Sequence, residues 1–193
     1  MLTFMRPSEE TIRKVTAAST SHQLTYAEVL ASADSRTPAG YFPNSWKCRI
    51  GVGEAVFRRA QEAVRHYQML NLGWLQVVHS EGPPRVGQHV TTLAKSFGLW
   101  SLNVARIVQV DDACETRFGF CYGTLPEYPV AGEERFTVTL DEETGEVTFD
   151  LFSFSRPTAI PARIGWPLIR RTQRSFCKES SRKMQQFCSR TED

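Results

Sequence analysis

The order of hydrophobic periods along the chain restricts its fold more than any other feature of the sequence. Between Trp46 and Val52 apolar residues alternate with polar ones, which predicts a half-buried strand. From about Gly53 to Met69 the apolar residues recur at every third or fourth position, which predicts an amphipathic helix. A strand that leads directly into a helix therefore opens the main part of the fold.

Six further strand-like stretches follow this helix, and turn residues bound each of them. They cover residues 72–78, 86–97, 99–110, 116–124, 133–140 and 146–155. Because short turns join the neighbours, we expect antiparallel pairing. Three prolines then precede a last amphipathic helix, predicted from about Pro167 to Cys188 with Phe176 in its apolar stripe. The pattern as a whole predicts an α+β fold.

Residues 1–43 differ from the rest because they show little sustained periodicity. A short helix is predicted near their start, where Ser8 can cap it and Glu9 and Glu10 occupy the first turn. The remainder of this segment is interpreted as an irregular strap, and residues 44–190 contain the other predicted elements. With 193 residues, of which 41% are hydrophobic, the chain can bury one core. We therefore expect one domain with an N-terminal extension.

The sequence carries few signals for secretion, membrane insertion or metal binding. Its apolar runs are shorter than the roughly 18 residues of a membrane span, and Arg6 and Pro7 interrupt the place where a signal peptide is apolar. Five cysteines lack CxxC or zinc-type spacing, which favours reduced thiols. The histidines show no ligand spacing, and neither GxSxG nor HExxH occurs. We expect a soluble cytoplasmic protein without a metal or a cofactor.

The formal net charge of +2 conceals an asymmetry along the chain. Residues 1–160 carry 15 basic and 18 acidic side chains, whereas residues 161–193 carry 8 and 3. A basic terminal helix can bind an anionic partner, such as a membrane surface or nucleic acid, and it can equally be a solvated face. The aromatic residues occupy predicted strand and core positions rather than an exposed stacking platform, so nucleic-acid binding is not expected.

Several short segments carry a resemblance to a known family. They are residues 53–57 (GEAVF), 72–74 (LGW), 98–103 (GLWSLN), 118–125 (FGFCYGTL), 132–136 (GEERF) and 154–157 (FSRP). With these segments the chain resembles the uncharacterised protein family 0548, a family of unknown function found in bacteria and plants. Its element order also resembles the START-like helix-grip superfamily, or SRPBCC, over about residues 44–190. This resemblance implies a curved antiparallel sheet of about seven strands wrapped around a long C-terminal helix, with a cavity between them.

One arginine lies on an apolar face of the predicted strand 99–110. Arg106 alternates in phase with Trp100 and Val104, and an arginine cannot lose its charge when it is buried. In a later strand Glu134 shares a face with Phe136. We hypothesise that Arg106 and Glu134 meet inside the curve of the sheet, where they orient a polar ligand group or brace the wall. The alternative is that Arg106 extends its charged end to solvent or that a bulge changes the register.

Hydroxyl and carboxyl groups are concentrated in residues 122–134, which connect two predicted strands. At the mouth of a cavity two carboxylates and a phenol can perform general acid–base work, provided that burial raises the pKa of one carboxyl group. A cyclase- or hydrolase-like enzyme would use Glu134, Tyr122 and Arg106 as acid, donor and anion anchor. The same segment also fits a polar hairpin loop without any chemistry.

The resemblance and the apolar strand faces together favour a binding module for a small apolar or amphipathic molecule, such as a lipid. The predicted ligand-binding residues are Trp100, Arg106, Tyr122, Glu134, Phe136 and Phe176. The enzyme described above is the first alternative. Contact between the basic C-terminal helix and an anionic membrane surface is the second.

Overall fold

The computed structural model describes residues 1–158 and 165–189, and these residues form one curved antiparallel sheet with helices on both of its faces. In chain order the elements are β1 (Leu2–Thr3), α1 (Glu9–Ser19), β2 (Phe42–Val52), α2 (Glu54–Arg65), a 3₁₀ turn (Gln68–Leu70), β3 (Leu75–His79), β4 (His89–Ser96), β5 (Leu99–Cys114), β6 (Arg117–Thr124), β7 (Val130–Leu140), β8 (Glu146–Pro157) and α3 (Trp166–Cys188).

The sheet follows the chain closely, with the strand order β2-β8-β7-β6-β5-β4-β3 and with β1 paired to the start of β5. Strands β3 to β8 are joined in sequence because each connection is short enough for an antiparallel turn. The turn between β7 and β8 shows the local cause. Asp141 accepts backbone hydrogen bonds from Glu143 and Thr144, and Gly145 adopts a positive φ of 68° that favours glycine.

Helices α2 and α3 cover one side of the sheet, which we call the inner face. Helix α2 begins directly after β2, where the Gly53 N–H donates to the Gly145 carbonyl at 2.7 Å, and it buries Phe57 and Val64. Helix α3 buries Phe176 and Met184 and contacts β2, α2 and the 3₁₀ turn. The inner face therefore holds the largest apolar cluster among the described residues.

Helix α1 and the strap, defined as residues 20–41, cover the opposite or outer face. Ser8 caps α1 as predicted, because its Oγ accepts the Thr11 N–H at 3.2 Å. The helix packs Ile12 against Leu93 and Leu102 of the sheet. In the strap, Tyr26 meets the Phe154 ring edge-on, with centroids 5.8 Å apart. Much of the sheet is thus buried on both faces.

A bulge in β5 changes which residues face inward. Ile107 pairs with Tyr122 and Val110 pairs with Phe120, so three residues of β5 match two residues of β6. One extra residue in a strand reverses the alternation beyond it. Ile107 and Val110 therefore both join the inner cluster although they are three positions apart.

The predicted α+β fold of the helix-grip type is confirmed, with eight strands instead of about seven. The predicted helix 53–69 is shorter, because Tyr67 takes a left-handed conformation with φ 53° and a 3₁₀ turn follows. Strand β2 begins at Phe42, four residues before the predicted start, and β1 was not predicted. All five cysteines are free thiols. Within the described residues no helix is both long enough and apolar enough to cross a membrane.

Candidate functional site

A row of polar side chains crosses the inner face through four adjacent strands. Asn44 of β2 lies opposite Ser153 of β8, Ser153 lies opposite Glu134 of β7, and Glu134 lies opposite Tyr122 of β6. We call these four residues the polar row. Directly opposite residues in antiparallel strands have Cβ atoms only about 4.5–5.5 Å apart. The row is therefore a continuous polar strip in an otherwise apolar face.

The neighbouring row, two residues further along each strand, is entirely apolar. Its members are Trp46, Leu151, Phe136 and Phe120, and we call them the aromatic row because three of the four are aromatic. Helix α3 brings Phe176 onto this row, with its ring edge-on to Phe136 and the centroids 6.3 Å apart. The inner face thus changes within one step from an aromatic surface to a hydrogen-bonding one.

Tyr122 and Glu134 form the central pair of the polar row. The Tyr122 hydroxyl donates to Glu134 Oε2 at 2.5 Å. Burial raises the pKa of Glu134 to about 7, although the hydrogen bond from Tyr122 opposes this shift. Burial and the nearby carboxylate raise the pKa of Tyr122 well above its usual value. As a whole residue Glu134 is partly exposed, and the raised pKa places the loss of its carboxyl proton near neutral pH.

Neutral groups surround this carboxyl on its other sides. Tyr128, from the segment between β6 and β7, interacts through its hydroxyl with Tyr122 and with Thr92 of β4. From α3, Cys177 approaches closely enough for the Glu134 charge to raise its pKa, with burial as the larger cause, to about 12. Among the described residues no Lys, Arg or His forms an ion pair with Glu134. The ionised carboxylate consequently has hydrogen bonding but no countercharge to stabilise it.

At the β2 end of the polar row, helix α3 is hydrogen-bonded to the sheet through Gln173. Its Oε1 accepts from Asn44 Nδ2 at 3.2 Å, and its Nε2 donates to Ser155 Oγ at 2.9 Å. Arg170 donates to the same Gln173 oxygen at 3.2 Å and to the Pro43 carbonyl at 2.7 Å. The helix is therefore fixed to the sheet by polar contacts at this end.

Several buried donors have no hydrogen-bond partner among the described residues, and two of them lie in or against the aromatic row. They are the indole Nε1 of Trp46 and the hydroxyl of Tyr67, whose ring packs edge-on to Phe120 at 5.5 Å between centroids. Tyr67 is only 3% exposed. Leaving a buried donor unpaired costs about 1–3 kcal/mol, so such groups indicate a water molecule or a ligand acceptor nearby.

Four of the six predicted site residues lie together on or against the inner face. They are Tyr122, Glu134, Phe136 and Phe176. Glu134 and Phe136 share a face as predicted. Neither Asn44 nor Ser153 was predicted, although Ser153 alternates in phase with buried Phe149 and Leu151, a signal that the sequence does contain.

The predicted contact between Arg106 and Glu134 is wrong, because Arg106 lies on the outer face. Its Nη2 donates to the carbonyls of Thr20 and His22 at 3.2 and 2.6 Å, and its Nε donates to His89 Nε2 at 3.3 Å. The apolar residues with which it alternates face α1 and not α3. Arg106 thus anchors the end of α1 and the beginning of the strap.

Trp100 also lies on the outer face, away from the polar row. It packs beside Ile12 and Leu102, and two cations lie over its ring, Arg6 at 5.8 Å and Lys95 at 5.3 Å from the centroid. Both misplaced candidates come from the first half of β5, where each face of the strand is covered by a different layer.

Two recesses open on the outer side of the sheet. One, of about 660 Å³, is lined by Thr25, Ala131, Arg156 and Thr158. The other, of about 240 Å³, is lined by Asp34, Arg117 and Arg135. Neither includes the polar row. No group of three or more His, Cys, Asp or Glu side chains within the described part of the chain is arranged to hold a metal ion.

Comparison with known proteins identifies relatives over nearly the full chain. A family model described as a domain of unknown function (DUF1990) matches residues 25–183. A UPF0548 protein of Deinococcus radiodurans is 35% identical over 187 residues, which is 91% of this chain and 93% of that protein.

Two solved structures share the fold at low sequence identity. A hypothetical protein of Helicobacter pylori superposes with a TM-score of 0.56 at 10% identity and covers 86% of this chain and 96% of its own. The Zhui aromatase/cyclase of a Streptomyces species superposes with a TM-score of 0.55 at 10% identity and covers 78% and 94%. At such identities the likeness concerns the fold alone.

Proposed function

This chain belongs to the DUF1990 family, and from that starting point we propose that it binds a small amphipathic molecule between the inner face of the sheet and helix α3. The observation that carries the proposal is the polar row beside an aromatic row on the inner face. A ligand with an apolar body and one hydrogen-bonding end matches this division, because binding sites are mostly apolar with a few placed polar groups.

The apolar body of the ligand would contact the aromatic row and Phe176. Trp46 is only partly buried and packs against the inner cluster, so part of its ring surface is available. Removing apolar surface from water contributes about 25 cal/mol per Å². In this row only Trp46 keeps exposed surface, because Phe120, Phe136 and Leu151 are each at most 1% exposed. The apolar part of the affinity would therefore come from Trp46 and from surface that helix α3 uncovers when a ligand enters.

The polar end of the ligand would meet Glu134 and the unpartnered donors. Trp46 Nε1 and Tyr67 Oη make no hydrogen bond with any described residue. A ligand oxygen can accept from these donors, and a ligand hydroxyl can donate to Glu134. Polar groups thus fix the orientation of the ligand more than its affinity.

Native mass spectrometry of the purified protein tests the proposal, because a retained ligand adds mass to the polypeptide. Ser153→Phe places a ring on the polar row and should reduce ligand occupancy at least about tenfold, since filling a site removes the space for its occupant. Thr148→Phe is the matched control, because Thr148 lies on the same strand but on the outer face. If Ser153→Phe does not fold, Ser153→Val tests the same space with a smaller side chain.

Two results would overturn the proposal. One is that the wild-type protein carries no additional mass and retains none after incubation with a mixture of fatty acids, sterols and aromatic ketones. The other is that Ser153→Phe and Thr148→Phe, both folded by circular dichroism, retain the same ligand as the wild type.

A second candidate partner is an anionic membrane surface. Four exposed cations, Arg171, Arg174, Lys178 and Arg182, follow one another on α3 at spacings of three, four and four residues. Such spacing places them on one side of a helix. The exposed Leu168 lies one turn before this stripe, and Phe42 packs on Trp166 nearby with centroids 5.1 Å apart. A basic stripe that ends at apolar side chains fits a lipid surface.

A further inference from the structure

The β4–β5 hairpin extends beyond the end of β6. Ala105 is the first residue of β5 in register with β6, so the six residues 99–104 lie past the last residue of that strand. At about 3.3 Å per residue, this extension is about 20 Å long. Strand β1 pairs with it on the side that β6 leaves free. We call residues 2–6 and 95–101 the projection, which is a small three-stranded sheet with Phe97 at its turn.

Large apolar side chains of the projection are exposed to solvent. Phe97 is 63% exposed, and its backbone takes a left-handed conformation with φ 52°, which is unfavourable for a residue of this size. Leu2, Phe4 and Met5 are between 60% and 85% exposed. A single exposed apolar residue is common on a protein surface, whereas a group of them in one place marks a surface that another molecule covers.

Two cations accompany these apolar side chains. The Arg6 guanidinium and the Lys95 ammonium lie 5.8 and 5.3 Å from the centroid of the Trp100 ring. Both residues are exposed, and neither forms an ion pair with a described residue. The carboxylates that follow along the chain, Glu9 and Glu10, belong to the first turn of α1, where they stabilise the helix N-terminus. The charges of the two cations are therefore available to an anionic partner.

The opposite end of the sheet carries negative charge. Residues 112–116 and 141–146 connect β5 to β6 and β7 to β8 at that end, and they contain two and four carboxylates but no lysine or arginine. Helix α3 begins at the same end as the projection, because Trp166 packs on Phe42 at the start of β2, and β2 runs in the same direction as β5. An anionic surface would therefore attract the end with the projection and repel the other end.

We propose that the projection enters an anionic membrane, with the rings of Phe4 and Phe97 at the acyl boundary and with Arg6 and Lys95 at the headgroups. This inference rests on the proposed membrane contact of α3, and it names the part of the chain that enters the lipid. Apolar side chains next to cations match the two layers of such a surface. A second copy of this chain is a poorer partner, because two paired projections would bring four cations together.

Co-sedimentation with vesicles of phosphatidylcholine that contain about 30% phosphatidylglycerol tests the inference. The double variant Phe4→Ser and Phe97→Ser should bind at least about tenfold more weakly than the wild type, because it loses the burial of two phenyl rings in the lipid. Both rings are exposed, so the variant should keep the fold, and circular dichroism checks this. Val86→Ser is the matched control, since Val86 is 68% exposed and lies in the β3–β4 connection at the opposite end of the sheet.

The two cations are tested separately from the rings. Arg6→Gln and Lys95→Gln should each weaken binding to these vesicles about fivefold, and neither should change binding to vesicles of phosphatidylcholine alone. Arg85→Gln is the control, because this arginine is also exposed and lies in the β3–β4 connection. An equal loss of binding for all three variants would show that only the net charge matters, and it would overturn the assignment of Arg6 and Lys95.

Fluorescence quenching measures whether the turn of the projection enters the lipid. Phe97→Trp places an indole at this turn, and lipids brominated on their acyl chains quench an indole only when they approach it closely. The quenched fraction of the emission should therefore be larger in Phe97→Trp than in the wild type. Val86→Trp is the control, and its additional emission should stay unquenched.

The outcomes distinguish the inference from the proposed membrane contact of α3. If the Phe4→Ser and Phe97→Ser variant binds vesicles as tightly as the wild type, while replacing the four exposed cations of α3 by Gln abolishes binding, the inference is overturned and the contact of α3 stands. If the wild type binds no vesicles, both fail. A dimer in analytical ultracentrifugation that the double variant abolishes, without any vesicle binding, would assign the projection to a second copy of the chain and overturn the inference.

Discussion

Glu133 and Glu134 are consecutive in β7, yet their carboxyl groups lie on opposite faces of the sheet in contrasting surroundings. Glu133 is 2% exposed and accepts hydrogen bonds from Tyr26 Oη at 2.6 Å, from the N–H groups of Leu30 and Ser32, and from Ser32 Oγ. Glu134 accepts a single bond from Tyr122. The first carboxyl holds the strap on the sheet, and the second contacts Tyr122 on the inner face.

Glu134→Gln should change how stability depends on pH. The pKa of Glu134 is raised from 4.5 to about 7 in the folded protein, so the folded state retains a proton that the unfolded state loses. Its contribution to stability is complete below pH 4.5 and is lost as pH rises through about 7. Relative to Glu134→Gln, the wild-type unfolding free energy should fall by at most about 3 kcal/mol. Urea unfolding at pH 4.5, 6 and 8 measures this difference. If the unfolding free energies of the wild type and the variant differed by the same amount at all three pH values, the prediction would be contradicted.

Glu133→Gln should destabilise the protein and loosen the strap. The amide cannot accept from all four donors, and its NH₂ group would face donors that already point at this site. Hydrogen bonds to a charged acceptor contribute about 1.5–3 kcal/mol each, so a loss of about 2–4 kcal/mol is expected. Amide hydrogen exchange at Leu30 and Ser32 should increase more than exchange in β6. Unchanged protection at these two amides would count against the role assigned to Glu133.

Gly123→Ala should displace the strap, because a Cβ at this position would lie 2.2 Å from Tyr26 Oη and 2.9 Å from Leu24 Cδ2. Tyr26 could then no longer reach Glu133 without movement. Gly73→Ala is the control, since a Cβ there would meet no atom within 4 Å. We expect a loss of about 1–3 kcal/mol for Gly123→Ala, as for other overpacked sites. Equal melting temperatures for the two variants would refute this account of Gly123.

Arg106→Ala should weaken the outer layer and leave ligand retention unchanged. The arginine donates to the Thr20 and His22 carbonyls, so its removal should increase amide exchange in the last turn of α1. Native mass spectrometry should show the same bound mass as in the wild type. Loss of ligand from a folded Arg106→Ala protein would contradict this prediction and indicate that Arg106 contributes to ligand binding.

Replacing Arg171, Arg174, Lys178 and Arg182 together by Gln should reduce pelleting with liposomes that contain about 30% anionic lipid. Each cation near such a surface contributes about 1 kcal/mol at moderate salt. Arg58→Gln on α2 is a single-charge control, because this arginine is also exposed and pairs with Glu54 on its own helix. Binding should disappear at 1 M salt, where screening reaches about 3 Å. Equal pelleting of all proteins would remove the membrane as a partner.

The succession of strands and helices was predictable because each element carries its own period. The final helix, predicted from Pro167 to Cys188, spans Trp166–Cys188. The half of the site formed by Tyr122, Glu134 and Phe136 was also predictable, since these residues lie on adjacent strands with apolar neighbours. Local sequence was sufficient to predict which residues face the site wherever a strand packs against a helix on one face only.

Arg106 and Trp100 show where local sequence was insufficient. Alternation assigns residues to a face but does not say which layer covers that face, and in β5 both faces are covered. To predict that Asn44 and Ser153 are neighbours, one must know that β2 pairs with β8, and this pairing joins residues more than 100 positions apart. The position of Tyr67 depends on its left-handed backbone conformation, which the hydrophobic periodicity of the sequence does not predict.

The bulge between Ile107 and Gln109 gives β5 one position at which its length can change without cost to the register. Val108 is the residue without a partner in β6, so its deletion would leave Gln109 opposite Cys121 and Val110 opposite Phe120. Deleting a residue elsewhere in the strand would instead exchange inside for outside along part of it. A single-codon deletion at Val108 should therefore be tolerated better than one at another position of β5, and natural length variation in this strand should concentrate here.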